Sequence, residues 1–140
     1  MVHTAAHIMT TSVFTLSPDS SVADAMKLSR EHNIRHIPVT DNEQTLLGVV
    51  SQRSLFNKAL HMLNLYGTEE SVHMEQETNI KEVMETECIT VATDTPLSEI
   101  IPMFKSNRHG CLPVVNNEQK LLGIVTSNNF VDFCEYLLNE

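Results

Sequence analysis

The stretch "NEQTLLGVVSQRSL" (Asn42 to Leu55) returns further along the chain as "NNEQKLLGIVTSNNF" (Asn116 to Phe130). Gly48 recurs as Gly123, and the same offset of 75 positions aligns Met9 with Met84, Thr15 with Thr90, Asp19 with Asp94, Pro38 with Pro113 and Val39 with Val114, without a gap. So many coincidences at one offset make the chain a duplication. Two copies are too few for a solenoid, which needs about three units to bury a continuous core. The two halves are therefore expected to cover each other's apolar faces.

Working outward, each half reads alike. "SVFTL" (Ser12 to Leu16) and "ECITV" (Glu87 to Val91) are rich in strand-forming residues and run into turn residues, which predicts a short strand in each. Val22, Ala25, Met26 and Ser29, and then Leu97, Ile100, Ile101 and Phe104, are spaced as one helical face. Ser20 or Ser21 can cap the first of these helices, and Thr95 with Pro96 suits the start of the second. Pro102 removes a backbone donor inside the second helix and predicts a kink or loosening there. "HIPVT" and "CLPVV" read as strands that pair with "LLGVVS" and "LLGIVT" across a turn of Asn, Asp and Glu. Phe56, Ala59, Leu60 and Leu63, and then Phe130, Phe133, Cys134, Leu137 and Leu138, give each half a closing helix with an apolar stripe. The predicted order is strand, helix, strand, strand, helix, with a first repeat over 1–66, an acidic connector over 67–79 lacking sustained periodicity, and a second repeat over 80–140.

Composition narrows the function. A chain of 140 residues, 41% of them apolar, can bury one substantial core, roughly two-thirds of its unfolded surface. A net charge of −9 repels phosphate backbones and anionic lipid, so neither nucleic acid nor membrane is expected as a partner. Three cysteines, Cys88, Cys111 and Cys134, cannot all pair and show no metal-ligand spacing, which fits reduced thiols. "MVHTAAHIMTT" lacks the basic start and apolar run of a secretory signal, and no window reaches a spanning length, so a soluble cytoplasmic protein is expected.

The segments "HIMTTSVFTLSPDSSVADAM", "HIPVTDNEQTLLGVVSQRSL", "EVMETECITVATDTPLSEII" and "CLPVVNNEQKLLGIVTSNNF" together resemble a tandem pair of CBS domains, the regulatory module named after cystathionine β-synthase. The resemblance covers nearly the whole chain, and the nearest type is the short stand-alone bacterial pair akin to acetoin-utilisation regulatory proteins. It implies an α/β (α+β) fold in which two pseudo-twofold-related β-α-β-β-α repeats pack sheet to sheet. It also implies clefts between the repeats for an adenine nucleotide (AMP, ADP or ATP) or, as second candidate, S-adenosylmethionine. A homodimer and a regulated partner protein are implied as well.

The candidate ligand residues are Arg35, His36, Ser51, Ser54, Thr126 and Asn129. Ser51 and Thr126 end a strand and open a helix, where a hydroxyl and free backbone N–H groups suit ribose and phosphate oxygens. In nucleotide-binding members of the family an Asp three residues further on holds the ribose diol; here that position is Ser54 in one copy and Asn129 in the other. Loss of a charge-assisted hydrogen bond there costs about 1.5 to 3 kcal/mol, roughly tenfold to a hundredfold in affinity. Arg35 and His36 stand before the proline-containing strand, where an arginine fork matches phosphate; the second copy has Gly110 and Cys111, with His109 one step earlier.

Each residue also has a purely structural reading. Ser51 and Thr126 are ordinary helix caps, Gly48 and Gly123 mark close backbone approach, and Arg35 and His36 form a solvated edge. His3 and His7 share a helical face but lack a third metal ligand, and the methionines fill core gaps. "HGC" (His109 to Cys111) has no evident oxyanion donor or third group, and no phosphate loop, zinc helix or nucleophile elbow is present, so the chain reads as a non-enzyme. Two functions follow: a nucleotide sensor that biases a partner between two states, or a ligand-free dimerisation and adaptor module with degenerate clefts.

Overall fold

The repeated stretch folds in both copies into a turn, a strand and the opening of a helix. The computed structural model describes residues 3–106 and 110–139. In chain order its elements are α1 (Ala5–Ile8), α2 (Val22–His32), β1 (His36–Thr40), β2 (Leu46–Ser51), α3 (Gln52–Glu77), a 3-10 turn (Ile80–Glu82), α4 (Leu97–Ser106), β3 (Cys111–Val115), β4 (Leu121–Thr126) and α5 (Ser127–Leu138).

The hairpins form as expected. β1 and β2 pair antiparallel with His36 opposite Ser51 and Val39 opposite Gly48, and β3 and β4 repeat the register with Cys111 opposite Thr126 and Val114 opposite Gly123. Each turn is organised by one side chain. Asp41 Oδ1 accepts from the Glu43 and Thr45 backbone N–H groups, both at 2.9 Å, and Asn116 Oδ1 accepts from those of Glu118 and Lys120 at 2.9 and 3.0 Å. Short acceptor side chains of this kind stabilise local turns, and Gln44 and Gln119 take the left-handed conformation at equivalent places (φ 68° and 64°).

By contact the chain forms two units, Phe14–Glu87, and Met1–Val13 together with Cys88–Glu140. In the first unit Leu16, Val22, Ala25, Ile37, Val39, Val50, Leu55 and Ile80 build the core. In the second, Ala5, Val91, Leu97, Ile100, Leu112, Val114 and Val125 do so. Gly48 and Gly123 are fixed by backbone that crosses each hairpin. A Cβ on Gly48 would lie 2.7 Å from the Glu85 carbonyl oxygen, and one on Gly123 would lie 2.6 Å from that of Thr10, both too close for any side chain.

Three expectations change. "SVFTL" and "ECITV" do not form strands; each contributes a single parallel bridge, Leu16 to Val39 and Val91 to Val114, because only that residue finds a strand neighbour. The stripe Phe56, Leu60 and Leu63 points outward on α3, at 62%, 43% and 42% exposed, while Leu55 and Met62 face the core. The acidic stretch after Tyr66 is helical through Glu77, past a break at Gly67 (φ 79°). α4 includes Pro102 and extends to Ser106. Ser21, one of the two expected caps, is the one that caps α2.

Candidate functional site

Each β2- or β4-type strand hands directly into a helix, and the residues singled out in the sequence gather at that junction. In the unit Phe14–Glu87, Ser51 Oγ accepts from the Ser54 backbone N–H at 3.0 Å and donates to Ser54 Oγ at 2.8 Å. Arg35 lies beside the same helix start, its carbonyl accepting the Gln52 N–H at 2.7 Å, and His36 is the register partner of Ser51. The fold therefore brings Arg35, His36, Ser51 and Ser54 to one end of one hairpin. Arg35 is exposed.

In the other unit Thr126 and Asn129 occupy the equivalent junction. Asn129 Oδ1 accepts from the Thr126 backbone N–H at 2.7 Å and from Thr126 Oγ1 at 3.3 Å. Its Nδ2 donates to Thr10 Oγ1 at 3.0 Å. The amide is thus engaged at both ends in closing the helix start and holding the N-terminal segment. A ribose hydroxyl would have to share Oδ1 with two protein donors. Thr10 was missed in the sequence; the offset that pairs Met9 with Met84 would have pointed to its segment.

The place equivalent to Arg35 is Gly110, in the left-handed region at φ 66°, and the place equivalent to His36 is Cys111. Cys111 is buried, and that burial, with Cys88 nearby, pushes its thiol up to about 12, so it stays protonated and inert. His109 lies outside the described residues. The basic side chains belong to one junction, and the amide acceptor to the other.

Among the described residues no group of three or more His, Cys, Asp or Glu could hold a metal ion, and no helix is long and apolar enough to cross a membrane. What the junctions offer is hydroxyls, helix-start N–H groups and, in one copy, a guanidinium. That set suits hydrogen bonding to a polar, anionic small molecule.

Known proteins match this chain in sequence and fold. The family model described as CBS domain matches residues 5–61 and 80–136. A Vibrio cholerae protein assigned to acetoin utilization, AcuB, is 33% identical, with a TM-score of 0.83 over 99% of this chain and 95% of that one. The CBS-pair protein CBSX2 from Arabidopsis thaliana is 26% identical, with a TM-score of 0.85 over 100% of this chain and 99% of that one. CBSX2 in complex with AMP matches at 26% identity with a TM-score of 0.81, over 96% of this chain and 98% of that one. Inosine-5'-monophosphate dehydrogenase of Methanocaldococcus jannaschii is 27% identical over 124 residues, 89% of this chain, which spans 22% of that enzyme's length.

Proposed function

The chain belongs to the CBS-domain family, and from that premise we propose that it is a non-enzymatic regulatory module that binds an adenine nucleotide and passes the bound state to a partner protein. The observation that carries the reading is the AMP complex of CBSX2, a pair 26% identical to this chain and matched over nearly its whole length. Arg35 with His36 is assigned the phosphate end, beside Ser51 and Ser54; Thr126 and Asn129 are assigned hydroxyl contacts at the other junction. A ligand switches the partner only through its differential affinity for two states of the module. AMP, ADP and ATP are the candidates, with S-adenosylmethionine second, and the cytoplasm is the expected compartment.

A second reading is favoured by the internal bonding of Ser54 and Asn129, whose side chains are already used to close their helices. In that reading the junctions are structural and the protein is a ligand-free dimerisation or adaptor module.

Thermal unfolding in the presence of each nucleotide separates the two. Ligand at about a hundred times its dissociation constant stabilises the fold by about 2.7 kcal/mol, which raises the midpoint by several degrees. The sensor reading expects a rise with at least one nucleotide that Arg35→Ala abolishes. No rise with any of them at millimolar concentration would leave the adaptor reading.

A further inference from the structure

The unit Met1–Val13 with Cys88–Glu140 carries a cleft of about 440 Å³ between α1 and α5, lined in part by His3, His7, Asp132, Phe133 and Tyr136. Its rings are held in order. His3 meets Phe133 edge to face with centroids 4.9 Å apart, and His7 edge to face at 5.6 Å. His7 Nδ1 accepts from the Thr4 backbone N–H at 2.9 Å, which holds that ring in place. Asp132 and Tyr136 stand on the same side of α5, one turn apart, both exposed. No described side chain forms an ion pair with the Asp132 carboxylate.

The duplication shows what this place holds in the other copy. The offset of 75 carries His7 onto Glu82 and Phe133 onto Lys58, and those two side chains form an ion pair at 3.4 Å with Lys58 only 25% exposed. There the position is occupied by the protein's own ammonium group. In the α1–α5 cleft the lysine has become Phe133 and the glutamate His7, while Asp132 and Tyr136 replace Asn57 and His61. This copy has instead gained a carboxylate, Asp132, and the aromatic faces of Phe133 and Tyr136, with no lysine or arginine among the described residues that line the cleft. Aromatic faces and a carboxylate attract an alkylammonium by the quadrupole of the ring and by charge. We infer that this cleft binds a small organic cation, an alkyl- or quaternary ammonium compound, against Asp132, Phe133 and Tyr136.

Asn129, a proposed hydroxyl contact, also lines the cleft, but Arg35 belongs to the unit Phe14–Glu87, and the test does not depend on nucleotide binding. Choline and tetramethylammonium are titrated into the full chain while the ring proton signals of His3, His7 and Tyr136 are followed by NMR. The neutral isostere 3,3-dimethylbutan-1-ol serves as control. Saturable shifts with the two cations, little response to the alcohol, and a loss of about fivefold in affinity in Asp132→Asn and in Tyr136→Ala are expected. Both substituted residues are exposed, so neither change puts folding at risk, and Arg35→Ala should leave cation binding unchanged. An equal response to the neutral alcohol, no saturation, or an unaltered affinity in Asp132→Asn would each overturn the inference.

Discussion

The Cys111 thiol, pushed by burial from an ordinary 9.0 up to about 12, makes a pH-dependent contribution whose sign follows from linkage. Between those two values the unfolded chain has released the thiol proton and the folded chain has kept it. Stability therefore falls as pH rises, by about 1.4 kcal/mol per unit above about pH 9, and is independent of this group below that. Urea unfolding at pH 8 and pH 10 should show a steeper alkaline loss in the native chain than in Cys111→Ala; parallel losses would remove the assignment. At this scale the sequence did not show the engagements of the residues it named. The family resemblance pointed to Asn129 as a ribose acceptor, whereas the carbonyl is already shared by two Thr126 donors and the amide by Thr10, a residue more than a hundred positions away. Gly48 was legible for the opposite reason. A glycine between apolar strand residues implies close backbone approach whatever the partner is, and the partner proved to be Glu85.

Elements were readable where the signal was local. Ser21 and Asp24 form a reciprocal cap, the Asp24 N–H donating to Ser21 Oγ at 3.1 Å and the Ser21 N–H to Asp24 Oδ2 at 2.9 Å. Ser21→Ala should destabilise the fold by about 1 kcal/mol, while Ser20→Ala, whose hydroxyl meets only Ser17 at 3.4 Å, should change it far less. Equal effects in chemical denaturation would show that the cap is not what holds the start of α2. Elements that depend on a distant partner were misread. "SVFTL" has the residues of a strand, but propensity supplies no neighbour, and only Leu16 finds one, bonding Pro38 and Thr40. On α3 the periodicity shows that Phe56, Leu60 and Leu63 share a face. It cannot say which face meets the core, and Leu55 and Met62 took that place.

At the scale of the whole molecule the offset of 75 made the architecture legible, because a duplicated sequence specifies a duplicated fold. The make-up of the units was not legible: residues before Phe14 pack with the second half of the chain, and residues 78–87 with the first, through pairings such as Thr10 with Ile124 and Glu85 with Val49. Such long-range exchange leaves no local pattern. The duplication also bears on assembly. The outward stripe of α3, Phe56 with Leu63, maps by the offset onto Val131 and Leu138 of α5, which are 64% and 85% exposed, on the side of that helix opposite Asn129, Phe133 and Tyr136. Exposed apolar residues at equivalent positions of both copies suit a self-complementary interface between two chains, which a twofold homodimer requires. Light scattering should then report twice the 15.7 kDa of one chain, and Phe56→Glu combined with Leu138→Glu should return it to a single chain. Neither side chain enters a core cluster, so the variant should keep its circular dichroism and its cooperative unfolding. A native chain that runs as a monomer, or a folded double variant that stays dimeric, would place the contact elsewhere and leave these stripes without a role.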